Sequence, residues 1–412
     1  MNPGIKKILI IIGIIALATL IGIGLYTLFK KTTQITPGPA GVGEKAEVRL
    51  PTAGERQVAT TTPGGPGALE RGAVSQTAPI PQITPGGYYQ PTPVQTVTNQ
   101  FVSYPSLNTS GNGLRYYNNS DGKFYRLTTD GQLKSLSDQT FYNVNKVTWS
   151  NNTDKAVLEY PDNSKIIYNF DQQKQTTLPK HWTEFSFSPD SNQIAAKSLG
   201  LSPENRWLVT MNDDGSGTTL VEPMGENADK VQINWSPSRQ TVAFSQTGQP
   251  LGGERREVLF VGLNGENFKS AVVEGLGFTP EWSPTGQKLL YSVYSSRSDF
   301  KPELWITDAY GDNIGNNRQT LQLNTWPNKC TFGDDNTLFC AVPRDLPQGA
   351  GILPDVAANN IDDMYKIDLK TGLKTTLPLG GSYNVKNITY DKTSNKIYFT
   401  DGNQSGVFAI KL

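Results

Sequence analysis

A short motif recurs along this chain of 412 residues and limits the folds it can adopt. The segment NWSPSRQTVAFS, which begins at Asn234, returns 47 residues later as EWSPTGQKLLYS. Aligning the sequence on the aromatic residue of this motif yields seven copies, spaced 38 to 58 residues apart. The aligned aromatic residues are Tyr104, Trp149, Phe187, Trp235, Trp282, Phe332 and Tyr390. Repeats with periods in this range are typical of solenoids and propellers.

Each copy has the pattern of a β-hairpin, with a short strand, a turn rich in Pro, Asp, Asn or Gly, and a second strand of alternating apolar residues. A second hairpin pattern, such as EVLFVGLNGENFKSAV, follows each of the first six copies. Two hairpins in every period of ~45 residues predict a four-stranded antiparallel blade. We therefore predict an all-β fold, a β-propeller of seven four-stranded blades. Six blades are the alternative, if the weak copy at Tyr104 is only a lead-in.

The seventh copy is short by one strand, because only GVFAIKL follows its segment KIYFT. A spare segment with β-strand composition, PVQTVTNQ at 93–100, precedes the first copy. An open sheet edge promotes aggregation, so a ring of blades needs its terminal edges covered. We predict that Val94–Thr98 supplies the outer strand of the last blade.

The best-preserved copies resemble a known family of repeats. The pattern WSP-x-G/S-x-x-[IL]-x-[FY]-S, followed by LW-x-x-(D/N)-x-DG, is similar to the WD-like repeat of TolB-type β-propellers, which also occurs in propellers of the prolyl-oligopeptidase type. The resemblance covers about 310 residues and implies a fold rather than an activity. TolB carries an α/β domain before its propeller and the oligopeptidases carry a hydrolase domain. This sequence has neither, so their functions are not carried over.

The seven aligned aromatic residues are interpreted as structural wedges that pack one blade against the next, with the Ser-Pro pair forming the turn. Candidates for catalysis are few. His181 is the only histidine in the sequence. A Ser-His-Asp triad would have to use this residue, and a metal site with several histidines cannot form within the chain. The sequence has no GxSxG, P-loop, HExxH or CxxC motif. We predict no catalytic residue, no cofactor and no metal site.

The N-terminal part of the chain predicts a membrane anchor. Residues 8–29 form an apolar run of 22 residues without charge, and as a helix they would span ~33 Å, about one hydrocarbon core. The alternative is a cleaved signal peptide with ALA at 16–18 as its cleavage site, but the run exceeds the ~7–15 residues of a signal h-region. Residues 30–92 are rich in Pro, Gly, Thr and Ala and lack apolar periodicity, which predicts a disordered linker.

These patterns divide the chain into a short tail (1–7), an anchor (8–29), a linker (30–92) and a propeller (93–412). The lysines on the two sides of the anchor nearly cancel under the positive-inside rule. A seven-residue tail cannot hold a domain, so we expect the tail in the cytoplasm. The protein is then a single-pass protein of the cell membrane, with its propeller on the extracytoplasmic side.

The charge distribution argues against nucleic acid as a partner. The 37 basic and 37 acidic residues balance, and the part after the first hundred residues is slightly acidic. Three function classes remain: a non-catalytic binding or scaffold module, an enzyme of the lyase or glycosidase type that uses the central mouth of the propeller, and an accessory subunit of an envelope complex. We favour the binding module.

Long segments between the second and third strands of blades 3 to 6 are the candidate binding loops, because long loops in compact folds are usually functional or disordered. Their basic residues favour a protein or an anionic envelope component as the partner, since arginine binds carboxylates in a bidentate manner. The candidate binding residues are Arg206, Arg255, Arg256, Arg297, Lys301 and Arg344.

The only two cysteines, Cys330 and Cys340, fall on the two arms of one predicted hairpin. Directly opposed residues of a hairpin approach closely enough for a disulfide. Export to an oxidising compartment favours its formation, and we predict that the two residues are bonded. Two small buried thiols are the alternative.

Overall fold

The computed structural model describes residues 94–111, 113–128 and 130–412, which form 28 strands and six short 3₁₀ helices. The strands of these ranges make seven antiparallel sheets of four strands each. The prediction of an all-β propeller with seven blades is confirmed, and the alternative of six blades is wrong. The predicted anchor (8–29) and linker (30–92) lie outside the described residues. Within the described ranges, no helix is long and apolar enough to cross a membrane.

The first strand of the described residues, β1 (Val94–Thr98), is followed by three blades in chain order. The strands of blade 1 are β2 (Ser103–Leu107), β3 (Leu114–Asn118), β4 (Lys123–Leu127) and β5 (Leu133–Ser135). Blade 2 comprises β6 (Lys146–Trp149), β7 (Lys155–Glu159), β8 (Lys165–Asn169) and β9 (Lys174–Leu178). Blade 3 comprises β10 (Trp182–Phe187), β11 (Gln193–Leu199), β12 (Arg206–Asn212) and β13 (Thr219–Pro223).

Four more blades complete the ring. Blade 4 comprises β14 (Val231–Ile233), β15 (Ala243–Ser245), β16 (Arg256–Val261) and β17 (Ala271–Val273). Blade 5 comprises β18 (Leu276–Trp282), β19 (Lys288–Tyr294), β20 (Glu303–Asp308) and β21 (Gln319–Thr320). Blade 6 comprises β22 (Cys330–Asp334), β23 (Thr337–Pro343), β24 (Asp362–Asp368) and β25 (Lys374–Leu377). Blade 7 comprises β26 (Val385–Asp391), β27 (Lys396–Asp401), β28 (Val407–Lys411) and β1.

The 3₁₀ helices are confined to the connections between strands. They span Pro203–Asn205, Gly225–Lys230, Ser296–Ser298, Gly311–Asn313, Pro327–Lys329 and Pro354–Ala357.

Strand β1 closes the ring by joining the last blade. It pairs antiparallel with β28, with Val94 opposite Ile410 and Thr96 opposite Phe408. The side chain of Val94 is buried in the same apolar cluster as Phe408 and Ile410. The prediction that Val94–Thr98 supplies the outer strand of the last blade is confirmed.

The core of the propeller is divided among the seams between blades. Buried apolar side chains of the described residues form seven clusters, one at each seam between consecutive blades. At the seam between blades 4 and 5, for example, Trp282 stacks on Phe244 with ring centroids 5.2 Å apart. Every blade therefore shares its apolar surface with two neighbours, and no blade has a core of its own.

The strand register corrects one of the seven wedge assignments. In blades 2, 3, 5, 6 and 7 the wedge residue lies at or near the end of the innermost strand and faces the start of the second strand, as Phe187 faces Ile194 in blade 3. In blade 4, Trp235 lies two residues after the end of β14. In blade 1 the residue at this position is Leu107, which faces Leu114. Leucine fills the same apolar seam without an aromatic ring, so the alignment on aromatic residues placed this copy three positions too early at Tyr104.

Tyr104 has a different place in the structure. It lies within β2 in the left-handed region, with φ of 53°, and its side chain is partly exposed. Its carbonyl accepts a hydrogen bond of 2.8 Å from Nε1 of Trp149, and its hydroxyl donates to the carbonyl of Asn145. Tyr104 thus links blades 1 and 2 through hydrogen bonds rather than by apolar packing.

The two cysteines lie opposite each other in the first hairpin of blade 6. Cys330 of β22 is paired with Cys340 of β23, and the structure joins their sulfur atoms in a disulfide. Both residues are buried in the apolar cluster between blades 5 and 6. The bond therefore fixes the innermost strand of blade 6 to its neighbour.

Candidate functional site

The two faces of the propeller differ in the length of their connections. Because the strands of a blade are antiparallel, the connections between its second and third strands lie on the same face as the connections to the next blade. We call this face the loop face. The opposite face carries the short hairpin turns and is called the turn face. The long predicted connections of blades 3 to 6 span 200–205, 246–255, 295–302 and 344–361, all on the loop face.

Three of these loops are hydrogen-bonded to one another. The carboxylate of Glu254, in the loop of blade 4, accepts bonds of 2.9 and 2.8 Å from the backbone N–H and hydroxyl of Ser296 in the loop of blade 5. These bonds lower the pKa of Glu254 below its ordinary value. The backbone N–H groups of Gly349 and Gly351, in the loop of blade 6, donate to the carbonyls of Asp299 and Phe300 at 2.9 and 2.7 Å. Residues 246–255, 295–302 and 344–361 therefore form one continuous surface, called the ledge.

Close backbone approach holds the largest loop against its neighbour. A Cβ atom on Gly351 would lie 2.5 Å from Cβ of Tyr294 and 2.7 Å from the carbonyl oxygen of Phe300. Only glycine allows the chain to pass at this distance.

A buried ion pair fixes the end of the blade 6 loop. Nζ of Lys329 lies 2.7 and 2.8 Å from the two carboxylate oxygens of Asp362, whose side chain is inaccessible to solvent. The same carboxylate accepts a bond of 2.7 Å from the backbone N–H of Val385 in blade 7. Burial lowers the pKa of Lys329 and raises that of Asp362, and the attraction between the two charges partly offsets both effects.

Blade 7 also contacts the middle of this loop. The side chains of Asn384 and Lys386 both donate hydrogen bonds to the carbonyl of Ala358, and the bond from Lys386 measures 2.8 Å. The loop of blade 6 is therefore attached at both sides, to the loop of blade 5 and to the first strand of blade 7. It is long, but its backbone is fixed at several points.

The six predicted basic residues lie in or beside the loops of the loop face, but their side chains have different surroundings. Arg297 forms an ion pair with Glu274 at 3.2 Å, and Arg344 forms one with Asp363 at 2.8 Å. Arg206 and Arg255 instead donate to backbone carbonyls of their own loops. In the described part of the chain, no residue forms a hydrogen bond or an ion pair with the side chain of Arg256 or of Lys301.

The loop face is consequently mixed in charge rather than uniformly basic. Arg297 and Lys301 line one cavity of about 670 Å³ at the edge of blade 5. Three carboxylates, those of Glu274, Asp299 and Glu303, line the same cavity. The basic residues of this cavity therefore do not form a uniformly positive patch.

Exposed aliphatic side chains are the feature of the ledge that the sequence interpretation missed. Ile352 and Leu353 are 58% and 56% exposed, and Val356 is exposed beside them in the loop of blade 6. Leu251 is exposed in the loop of blade 4, and Leu201 is fully exposed in the neighbouring loop of blade 3. The sequence does indicate these exposed side chains, because segments such as GILPDV place apolar residues inside a long loop.

The central channel is a second candidate site. The innermost strands of all seven blades line a cavity of about 680 Å³. Its lining is made of hydroxyl, amide and aromatic side chains, three prolines, the apolar side chains of Leu107 and Ile388, the disulfide-bonded Cys330 and the carboxylate of Glu281. The predicted wedge residues Trp149, Phe187, Trp235, Trp282, Phe332 and Tyr390 all contribute to the lining.

Glu281 differs from every other residue of the channel wall. It is the only charged side chain among the described residues that line this cavity. The side chain is exposed to the channel, yet protein surrounds it closely, and desolvation raises its pKa to about 7. In the described ranges no residue donates a hydrogen bond to its carboxylate or pairs with it.

Neither His181 nor a group of metal-ligating side chains provides a further candidate site among the described residues. His181 is exposed in the connection between β9 and β10, away from the channel lining. Among the described residues, no group of three or more His, Cys, Asp or Glu side chains is arranged to hold a metal ion.

Comparison with known proteins identifies the fold and leaves the family open. No family model and no curated protein sequence matches the chain. Among solved structures, the β-propeller domain of Cps50 (Swd1) from Myceliophteria thermophila is similar over 77% of this chain and 99% of that chain, with 12% identity and a TM-score of 0.51. The oligogalacturonate lyase of Vibrio parahaemolyticus has 11% identity and a TM-score of 0.47, over 77% of this chain and 92% of that chain.

A third structure, the tricorn protease, has 10% identity and a TM-score of 0.48, over 79% of this chain and 34% of that chain. At these identities the likeness concerns the fold alone. The chain is thus a seven-bladed β-propeller, and its relation to the TolB type is supported by the sequence resemblance only.

Proposed function

We propose that this protein is a non-catalytic binding module, held at the extracytoplasmic side of a cell membrane, that recognises a protein or another envelope component through the ledge. The observation that carries the proposal is the combination of fixed backbone and exposed aliphatic side chains. Large apolar groups on a surface often mark an interaction site. Loops that are already fixed lose little conformational freedom on binding, which favours affinity.

The side chains of the ledge suit a partner with an apolar centre and mixed charges around it. Ile352, Leu353 and Val356 supply the apolar contacts. Lys301 in the ledge, and Arg256 directly beside it, supply cations that form no ion pair with a described residue. An interface with an apolar core and a polar rim is the common arrangement for protein partners. This chemistry favours a protein over a purely anionic polymer.

Two features support placement outside the cytoplasm. The apolar run at 8–29 has the length of a membrane-spanning helix. The disulfide between Cys330 and Cys340 is of a kind that persists in oxidising compartments. The linker at 30–92 would then separate the propeller from the membrane surface, as in an accessory subunit of an envelope complex.

An enzyme of the lyase or glycosidase type that uses the central mouth remains the alternative. The channel is the relevant place, because its lining holds the carboxylate of Glu281. Glycoside hydrolysis generally uses a pair of carboxylates, however, and Glu281 is the only one among the described residues of this lining. The observations therefore support binding at the ledge better than catalysis in the channel.

Polar substitution on the ledge tests the binding function. We expect the double variant Ile352→Asp and Leu353→Asp to reduce capture of the partner at least tenfold, because charged groups would enter the apolar centre of the contact. Capture is measured by photocrosslinking from the ledge in native membranes, followed by identification of the crosslinked protein. The variant Arg255→Ala with Arg256→Ala should have a smaller effect.

Leu373 provides the matched control, because it is exposed in a hairpin turn on the turn face. The Leu373→Asp variant should fold and capture the partner as the natural sequence does. Equal capture by the Ile352→Asp, Leu353→Asp variant and the control would exclude the ledge as the binding site.

Protease treatment of intact cells tests the placement. Because the linker at 30–92 is predicted to be disordered, added protease should cut it and release a compact fragment that begins near residue 93. Where an outer membrane is present, spheroplasts replace intact cells. Full protection until lysis would put the propeller in the cytoplasm and contradict the proposed topology.

A further inference from the structure

We propose that the central channel binds a small organic ammonium compound, with the carboxylate of Glu281 as its counter-ion. This site is separate from the ledge, since it is formed by the innermost strands and opens among the Ser-Pro turns of the turn face. Its test is therefore independent of the test of partner capture.

Glu281 belongs to a ring of seven equivalent positions, each directly before the wedge position of its blade. Strand register identifies the other members as Ser106, Thr148, Ser186, Asn234, Thr331 and Thr389. Six of the seven side chains are thus short and neutral. Blade 5 alone carries a long, ionisable side chain at this level of the channel.

Other members of the ring have structural roles that Glu281 lacks. Oγ of Ser186 accepts a bond of 3.0 Å from the backbone N–H of Trp235 in the next blade. Oγ1 of Thr331 accepts a bond of 3.2 Å from the N–H of Tyr390 in the next blade. Glu281 has no such bond among the described residues, so inter-blade hydrogen bonding does not explain its presence.

The electrostatics of the channel favour a cation beside Glu281. A carboxylate that protein surrounds closely and that no described cation pairs with is less favourable than one in bulk water, and a bound cation would offset this cost. The charged groups on neighbouring inner strands already have partners: Lys146 pairs with Glu159, Glu184 with Lys197, and Lys329 with Asp362. Tyr390 is the only other titratable side chain in the described lining.

The lining selects an organic ammonium group over a metal ion. Calcium takes six to eight oxygen ligands, typically with several carboxylates, whereas this cavity offers a single carboxylate. Hydroxyls of Thr331 and Thr389 can accept further N–H bonds from a primary ammonium group. Aromatic side chains such as Trp149 and Phe332, which are only partly buried, provide apolar and π surface for its alkyl part.

The volume of about 680 Å³ is that of a small-molecule site rather than of a single ion. A simple alkylammonium fits this volume and is an adequate probe of the site.

Ligand-observed NMR titration of the full chain in non-ionic micelles tests the proposal. The probes are n-butylammonium and its neutral analogue n-butanol. At pH 8 we expect the natural sequence to bind n-butylammonium at least tenfold more tightly than n-butanol. The Glu281→Gln variant should lose this preference, because it keeps the shape of the side chain and removes its charge.

The pH dependence follows from the same carboxylate. Its pKa of about 7 means that it is largely neutral at pH 5.5, where binding of n-butylammonium should be more than tenfold weaker than at pH 8. Because the folded-state pKa is raised, ionised Glu281 destabilises the ligand-free protein as pH rises towards and through 7. Glu281→Gln should therefore gain thermal stability over the natural sequence at pH 8 but not at pH 4.

The Glu204→Gln variant is the control, because it removes a carboxylate from the loop of blade 3 and leaves the channel unchanged. It should bind the probe as the natural sequence does. Equal affinity for n-butylammonium and n-butanol, or unchanged binding by Glu281→Gln, would overturn the proposal. Thermal melting of each variant at pH 8 verifies that the fold is intact in these comparisons.

Discussion

Replacing Val94–Thr98 with five Gly and Ser residues in the full chain is expected to lower the free energy of unfolding by roughly 4–8 kcal/mol. Burial of Val94 contributes about 1.5–3 kcal/mol to this figure. The remainder comes from the hydrogen bonds between β1 and β28, at about 0.5–1.5 kcal/mol each, which break when the Gly and Ser segment leaves the sheet because of its low β-propensity and its higher conformational entropy in the unfolded state. Thermal and denaturant unfolding of the two proteins measure the difference.

Loss of β1 has a second expected consequence, because it leaves β28 as an open edge in the last blade. Unpaired strand edges recruit other chains, so the variant should form dimers or aggregates that size-exclusion chromatography detects. The same five-residue replacement at 60–64 provides the control for changes in linker composition. The role of β1 in closing the ring would be contradicted if the Val94–Thr98 variant had the same melting temperature and the same oligomeric state as the control.

Replacing Asp362 with alanine is expected to cost about 3–5 kcal/mol of stability, because it leaves the buried ammonium group of Lys329 without its counter-ion. The hydrogen bond from the backbone N–H of Val385 is lost as well. The neighbouring Asp363 is a matched control, since it pairs with Arg344 in an exposed position. Asp363→Ala should leave the unfolding transition almost unchanged.

A double variant distinguishes the loss of the ion pair from the uncompensated charge that a single substitution leaves. Lys329→Met combined with Asp362→Leu should be markedly more stable than Asp362→Ala, because apolar replacement of both partners removes the uncompensated charge. If Asp362→Ala and Asp363→Ala unfold at the same denaturant concentration, the buried pair does not fix the end of the blade 6 loop. The experiment also reports on the ledge, since that loop carries Ile352 and Leu353.

Much of the architecture followed from the sequence because the repeat encodes it locally. The first six blades are each encoded by two successive hairpins with their own turns, and the missing strand of the last copy pointed to Val94–Thr98. The exception at Tyr104 shows the limit of this approach. Aligning on aromatic residues favours tyrosine over Leu107, although both packing and register place the leucine in the seam.

The details of the candidate sites were less accessible, because they depend on contacts between distant segments. The sequence predicted which loops are long and which basic residues they carry. It gave no indication that Arg297 is neutralised by Glu274 or that Glu254 joins two loops through Ser296. Glu281 was not singled out, since its isolation becomes visible only when the seven inner strands are placed around one channel.

The position of β1 also imposes an order of events on synthesis. Val94 is among the first described residues to be made, yet its partner Ile410 is almost the last. At translation rates of about 5–20 residues per second, roughly 300 intervening residues take about 15–60 s to appear. During that interval blade 1 can form, but β1 has no partner strand. Pairing of β1 with β28 then closes a loop of roughly 300 residues, and the entropy cost of this closure slows the final step of folding. The strand Val94–Thr98 is therefore the described segment that stays without its partner, and so open to aggregation, for the longest time.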